Sequence, residues 1–267
     1  MTTDTPIFES LREALADEVP IAIATVVEGP NTGAKMLATP DLEGQGTTQG
    51  TLGNDDLDRV VVRDMRGELA AGRSGVRHYG ERGEAREDTV AVFIESFASP
   101  PQMLVFGAVD FTAALVRIGK VLGYRVTVCD ARPVFATPQR FPTADHIAVK
   151  WPNDLLDEVG HTLGPRDAVC VLTHDNKFDV PAIVGALETD VGYIGVMGSR
   201  KTHDNRTKRL VEAGLTDDQL RRLMSPIGLD IGARTPEETA VSICAEIIAL
   251  RTGRDAPSLK EGAGSIH

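Results

Sequence analysis

Beyond Ser99-Pro100-Pro101 the chain alternates short apolar runs with helical ones, and that rhythm limits the fold more than any other feature. Met103–Phe106, Arg125–Cys129, His146–Val149, Ala168–Thr173 and Tyr193–Val196 read as strands from their apolar and β-branched content. Phe111–Leu122, Leu155–His161 and Val180–Leu187, between them, place apolar groups at helical spacing. Strands joined by crossover helices form a mostly parallel sheet covered on both faces. The expectation is a Rossmann-like, doubly wound α/β domain with ligands at the carboxyl ends of its strands. Helices follow near Thr202–Ala213 and Thr216–Leu223, and a long one opens at Thr235. Its start, Thr235-Pro236-Glu237-Glu238, has a hydroxyl at the N-cap, proline at the first helical position and a carboxylate to close a capping box.

The stiff Ser99-Pro100-Pro101 break predicts a domain boundary. Before it, residues 1–98 read as a smaller α+β domain. Phe8–Asp17 is an amphipathic helix, Ile21–Val27 a buried strand, and Gly33–Ala38 and Gln49–Leu52 further strands. Asn54 caps a helix with acids in its first turn, and Val90–Ser96 is another strand. Gly67–Asp88, rich in glycine and in both charges, reads as a mobile hairpin or loop without a site. The second domain spans 99–253, and 254–267 reads as a disordered tail.

A chain of 267 residues that is 42% hydrophobic can bury a core in each domain. A net charge of −11 argues against a broad nucleic-acid or anionic-membrane footprint, and 4% aromatic content against a base-stacking platform. The polar amino-terminal stretch lacks a signal-peptide pattern, and no apolar run approaches membrane-spanning length. Cys129, Cys170 and Cys244 fall within expected strands or a helix without metal-ligand spacing, as in a reduced cytoplasmic protein with buried thiols. No other cluster has metal-ligand spacing, and neither a P-loop nor a G-x-S-x-G elbow occurs.

Four places carry candidate chemistry. Gly107-Ala108-Val109-Asp110-Phe111-Thr112 stands where a dinucleotide fingerprint would, and Asp130 ends the next strand, where an acid grips a ribose hydroxyl. Yet Val109 replaces the glycine that lets a pyrophosphate touch backbone. Asp110 puts negative charge at the helix start, repelling phosphate by about 1 kcal/mol or more once partly desolvated. NAD(P) in its usual pose is therefore disfavoured. Arg132, two residues after Asp130, either meets a phosphate or pairs with that acid.

Gly198-Ser199-Arg200-Lys201-Thr202-His203 opens a helix after the last expected strand. From Ser199 to Leu210 five Lys or Arg face one acid. Glycine, hydroxyls and cations at a helix start make an anion cradle, and the alternative is a solvated basic face. Arg234 stands at the start of the long helix after a glycine-punctuated loop holding Asp230. It either adds a second anion seat or pairs with Asp230. If both helix starts face one crevice, they hold a phosphate or a carboxylate. His174 and Asp175 follow Ala168–Thr173 at the crevice mouth. His174 is a candidate for proton transfer or polar recognition, and Asp175 for a helix cap.

GYIGVMGSRKTHDNR, SPIGLDIGARTPEETAVSICAEI, VCDARPVFATPQRFP and VLTHDNKFDVPA resemble the xanthine dehydrogenase accessory factor (XdhC/CoxI) family over most of Met103–Leu250, in family order. IAIATVVEG and TGAKMLATPD are similar to its first domain. The resemblance implies a chaperone that binds the molybdopterin form of the molybdenum cofactor as cargo and protects it, including when sulfurated. It implies help with insertion into a molybdenum hydroxylase of the xanthine or CO dehydrogenase type. It further implies work with a cysteine desulfurase and a homodimer; the first reading is a carrier with no turnover of its own. An NAD(P)-dependent oxidoreductase on the same scaffold is the competing reading. Two stretches depart from the family. Its Gly-Gly-Cys-Val-Glu motif is here Gly50-Thr51-Leu52-Gly53-Asn54-Asp55-Asp56-Leu57, with no cysteine, and Asp55 or Asp56 is a poor soft-ligand substitute. Its Gly-Ala-Gly-His loop is here Gly107-Ala108-Val109-Asp110.

Overall fold

The computed structural model describes residues 5–41, 44–85, 87–173 and 175–261, with the side chains of Thr5, Arg200 and Glu261 outside that description. The chain divides into two compact units, Met1–Ser99 and Pro100–His267.

The first unit runs α1 (Thr5–Ala16), β1 (Ile21–Glu28), β2 (Lys35–Ala38), β3 (Thr48–Gly50), α2 (Asp55–Ala71), β4 (Gly75–Tyr79) and β5 (Val90–Phe97). The strands form an antiparallel sheet in the order β3-β2-β1-β5-β4. Alternation along β1 sends Ala22, Ala24 and Val26 to one face and Ile21 and Ile23 to the other. On the first face Leu57, Val61, Met65 and Leu69 of α2, one turn apart, complete the core. On the second, Ile7 of α1 joins Ile21, Ile23 and Leu37. Asn54 caps α2 by accepting from the backbone N–H of Asp56 at 2.9 Å. The reading of Gly67–Asp88 as a hairpin or loop holds only in part: α2 continues to Ala71, and Gly75–Tyr79 forms the first strand of an antiparallel hairpin with β5 at the sheet edge. Its exposed positions carry Arg77 and His78, and this polar content, which looked like loop, is what keeps a sheet edge from pairing with another chain.

The second unit runs β6 (Gln102–Phe106), α3 (Asp110–Val121), β7 (Arg125–Cys129), β8 (His146–Ala148), α4 (Pro152–Val159), β9 (Ala168–Val171), α5 (Asn176–Leu187), β10 (Tyr193–Val196), α6 (Arg200–Glu212), α7 (Asp217–Arg221), β11 (Leu223–Met224) and α8 (Pro236–Thr252). Its six strands are parallel, in the order β11-β10-β9-β6-β7-β8. Met103 and Val105 of β6 pack on the face that α3 and α8 cover. Leu104 and Phe106 pack on the opposite face with α4 and α5 and with Leu210 of α6. The expected doubly wound sheet is therefore present. The helix expected over Thr216–Leu223 stops at Arg221, because Leu223 and Met224 extend beside Ile194 and Gly195 as a sixth strand.

The order reverses between β6 and β9. At this switch point the chain leaving β6 turns through Gly107 at φ +111°. A Cβ there would stand 2.8 Å from Thr173 Cγ2 and 3.0 Å from its amide nitrogen, so only glycine lets the two strand ends approach so closely. Among the described residues no helix is long and apolar enough to cross a membrane.

Candidate functional site

The carboxyl edge of the parallel sheet gathers the loops after β6, β7, β8, β9 and β10. The loop after β6 is held from within. Thr112 Oγ1 donates to the Gly107 carbonyl at 2.5 Å and accepts from the Val109 amide at 3.3 Å. Asp110 does not cap α3, whose N-cap is Val109. It occupies the first helical position with its side chain 95% exposed, 3.9 Å from Arg140, while the buried Thr112 hydroxyl organises the turn.

Asp130 is spent on the protein itself. Its buried carboxylate accepts from the Ala108 amide at 2.9 Å, the Arg132 amide at 3.0 Å, Arg132 Nε at 2.9 Å and Arg132 Nη2 at 2.8 Å. Burial alone would raise this carboxyl. The Arg132 guanidinium and the two amides outweigh it and hold the group below the ordinary carboxylate range. The acid at the ribose position is thus a clasp between the loops after β6 and β7, and Arg132 pairs with it. Arg140 reinforces the clasp by donating to the Ala108 carbonyl at 2.9 Å and the Phe135 carbonyl at 3.0 Å.

A second clasp joins β9, α5, β10 and α6. Arg206 Nη2 donates to Asp179 Oδ2 at 2.8 Å and to the Met197 carbonyl at 3.0 Å, and the Thr173 hydroxyl donates to Asp179 Oδ1. Arg206 and Asp179 are almost fully buried. This corrects the count of cations on the basic helix: Arg206 belongs to the interior, and Lys201, Lys208 and Arg209 remain on the exposed surface. Its spacing could have shown this, since Arg206 lies one turn before the buried Leu210.

At the start of α6, Ser199 accepts from the Thr202 amide at 3.2 Å, and the two hydroxyls lie 2.9 Å apart. Gly198 precedes them, with a Cβ position 3.2 Å from Thr202. Lys201 and Thr202 are exposed. His203 points elsewhere: with Arg206, Thr207, Leu210 and Ser225 it lines a cavity of about 330 Å³ that α6 shares with α7 and β11. Arg200 lies in the first turn, its side chain outside the described residues. His174 also lies outside them. Its neighbour Asp175 caps α5 by accepting from the Lys177 amide at 3.1 Å.

The two helices whose starts could have faced one crevice lie on opposite faces of the sheet: α6 packs on the α5 side and α8 on the α3 side. The mouth of α8 is filled by its own Glu238, whose carboxylate accepts from the Arg234 amide at 2.7 Å and the Thr235 amide at 3.0 Å. Those two amides lower the Glu238 pKa. Asp230 and Arg234 are both exposed, and among the described residues no ion pair joins them.

Three of the loops also bring aromatic groups to this edge, in a chain only 4% aromatic. The Trp151 and Phe178 rings stack with centroids 4.8 Å apart, and the Arg132 guanidinium lies 4.5 Å from the Phe135 centroid. Sequence reasoning passed over them because no two are adjacent in the chain. All three cysteines are buried. Burial pushes Cys129 and Cys244 up to about 12 and Cys170 well above its ordinary value, so none offers a thiolate near neutral pH.

Comparison with known proteins matches the same two regions. Residues 103–247 fit the XdhC Rossmann domain, and residues 14–80 fit the XdhC and CoxI family. The chain is 36% identical over 165 residues to a Bacillus subtilis protein named as a probable subunit of xanthine dehydrogenase, covering 62% of this chain and 47% of that protein. It is 25% identical over 256 residues to the uncharacterized Escherichia coli protein YqeB, covering 92% of this chain and 46% of the other. The molybdenum cofactor insertion chaperone PaoD of Escherichia coli is 31% identical over 91 residues, 34% of this chain and 29% of PaoD. The chain thus spans less than half the length of each of these relatives. A crystal structure described as a xanthine dehydrogenase from Bacillus halodurans shares the fold, with a TM-score of 0.55 at 22% identity over 94% of this chain and 97% of the other. With a family model covering more than half its length and a second matching its amino-terminal unit, the chain belongs to the XdhC and CoxI family.

Proposed function

We propose that this protein binds the molybdenum cofactor as cargo, shields it, and assists its insertion into a molybdenum hydroxylase of the xanthine or CO dehydrogenase type. The observation that carries the reading is the match of both units to the family, together with likeness to a relative named as a molybdenum cofactor insertion chaperone. The carboxyl edge suits a carrier more than an enzyme. Its buried carboxylates among the described residues, Asp130 and Asp179, each hold loops together, the second through Arg206 Nη2. Gly198, Ser199, Lys201 and Thr202, with Arg200 in the same turn, are the groups proposed to meet the anionic part of the cargo. Gly107 and the Asp130–Arg132 clasp shape the floor, with Asp175 at the neighbouring strand end; His174 keeps its proposed role in polar recognition from the sequence alone. Asp230, His203 and Arg234 are left out of this contact set.

Without an available thiolate, the grip falls on the organic part of the cargo and not on its metal. We further propose that the carrier acts as a homodimer and receives sulfur for its cargo from a cysteine desulfurase. The NAD(P)-dependent oxidoreductase reading loses its ribose anchor, because both carboxylate oxygens of Asp130 are already taken by donors of the protein.

The test is to purify the protein from cells replete in molybdenum, then measure bound metal and pterin by mass spectrometry. Transfer to a cofactor-free hydroxylase follows. Near-stoichiometric cargo and faster activation of the client are expected. Cargo at background level, together with tight NADH or NADPH binding, would replace the carrier with the oxidoreductase.

A further inference from the structure

Four planar groups stand in a row at the carboxyl edge of the second unit. The Trp151 indole lies on the Phe178 ring with 29° between their planes. The Arg132 guanidinium follows, 5.6 Å from the Phe178 centroid, and then Phe135, 4.5 Å from Arg132. They come from three separate loops: Arg132 and Phe135 after β7, Trp151 after β8, and Phe178 in the first turn of α5 after β9.

Core filling does not account for the row. Trp151 is 44% exposed and Phe135 40%, whereas Phe141 in the next turn is buried. Both rings leave a large share of their surface in water and so forfeit part of the burial that a core position would give them. The guanidinium is also fixed in plane, because Asp130 accepts from both its Nε and its Nη2. A rigid stack with an open aromatic end recognises flat π-systems through stacking and cation–π attraction.

We propose that this row is the wall on which a planar heterocycle stacks, namely the pterin of the cargo or the base of its nucleotide form. The identity of the heterocycle rests on the carrier reading; the wall rests on the side-chain geometry. In this arrangement the ring seats against Trp151 beside the clasped Arg132. The wall fixes which ring is accepted, and the polar start of α6 is left to the phosphate.

Trp151 is the only tryptophan, so the intrinsic tryptophan emission of the full-length protein reports from this wall alone. Pterin, CMP and GMP are titrated separately. Saturable quenching by pterin assigns the wall to the pterin, and saturable quenching by a nucleotide alone assigns it to the base. Trp151→Ala, a surface change read by calorimetry, removes the ring on which the ligand stacks and is expected to weaken the active probe by about 5- to 150-fold. Phe178→Ala removes the ring that backs the indole and is expected to weaken it by a smaller factor, roughly 2- to 5-fold. Failure of every probe to saturate by about 1 mM, or unchanged affinity in both variants, overturns the wall. Bound molybdenum separates the two ideas. Protein that carries the metal yet fails every titration keeps the carrier reading and loses the wall. Protein without cargo that still shows saturable quenching does the reverse.

Discussion

Replacing Asp130 with alanine removes the clasp between the loops after β6 and β7, and its cost can be worked from the contacts. The substitution strands the Ala108 amide, which is buried and has Asp130 as its acceptor. An orphaned buried N–H costs about 1–3 kcal/mol. The Arg132 guanidinium is 45% exposed and returns its donors to water. Solvent screening therefore limits the ion-pair part to about 1 kcal/mol or less. Together the loss is about 1–4 kcal/mol, a fall of roughly 2–15 °C in the melting temperature of a unit this size. Calorimetric unfolding at pH 7 measures it. The carboxyl is held below its ordinary value, so its contribution is present above the unfolded value near about 4 and is lost as pH falls through the folded one. The gap between wild type and Asp130→Ala should hold steady down to about pH 5 and narrow below about pH 4, the protonated carboxyl still accepting from the Ala108 amide. Arg132→Ala should add little to Asp130→Ala, since both act through one carboxylate. A melting temperature within about 1 °C of wild type, or a gap that persists unchanged into strong acid, refutes the clasp.

Gly107→Ala should destabilise by about 2 kcal/mol or more, measured by denaturant unfolding, because its Cβ meets Thr173 at 2.8 Å in a left-handed backbone. Arg206→Ala leaves Asp179 charged and buried and should cost about 3–5 kcal/mol, seen as loss of soluble folded protein or a large fall in melting temperature. The cysteines should resist a thiol reagent near pH 8 in the native state and react fully in guanidinium; rapid native labelling of Cys129 or Cys244 would contradict their burial.

The sheet of the second unit was readable because its strands are apolar on both faces and punctuated by glycine turns. β11 was not, because two residues carry no periodicity; Leu223 and Met224 are a strand only because β10 lies beside them. β4 was legible only in part for a related reason: an edge strand that shows charges to water reads as loop. At the site, local signals such as the Ser199 and Asp175 caps and the Asp130–Arg132 proximity could be read, and the structure chose among the alternatives they left. What no local pattern could supply was contact between distant segments: Arg206 with Asp179, Trp151 with Phe178, and the separation of α6 and α8 onto opposite faces.

The departures from the family bear on where a phosphate can rest. Two helix starts compete for it at this edge, those of α3 and α6. At α3 the exposed Asp110 carboxylate sits in the first turn, opposing an anion by about 0.3–1 kcal/mol, with Arg140 at 3.9 Å to offset it. At α6 the first turn holds Ser199, Lys201 and Thr202 and no acid. On the carrier reading proposed above, this balance favours α6 as the seat of the phosphate. Asp110→Asn should therefore leave affinity for a phosphorylated pterin within about twofold, since the removed charge is remote from the ligand, while Lys201→Ala should weaken it about two- to fivefold at low salt. A gain of about fivefold in Asp110→Asn, with Lys201→Ala silent, would move the phosphate to α3 and make the valine and aspartate of that loop the cause of weakened binding.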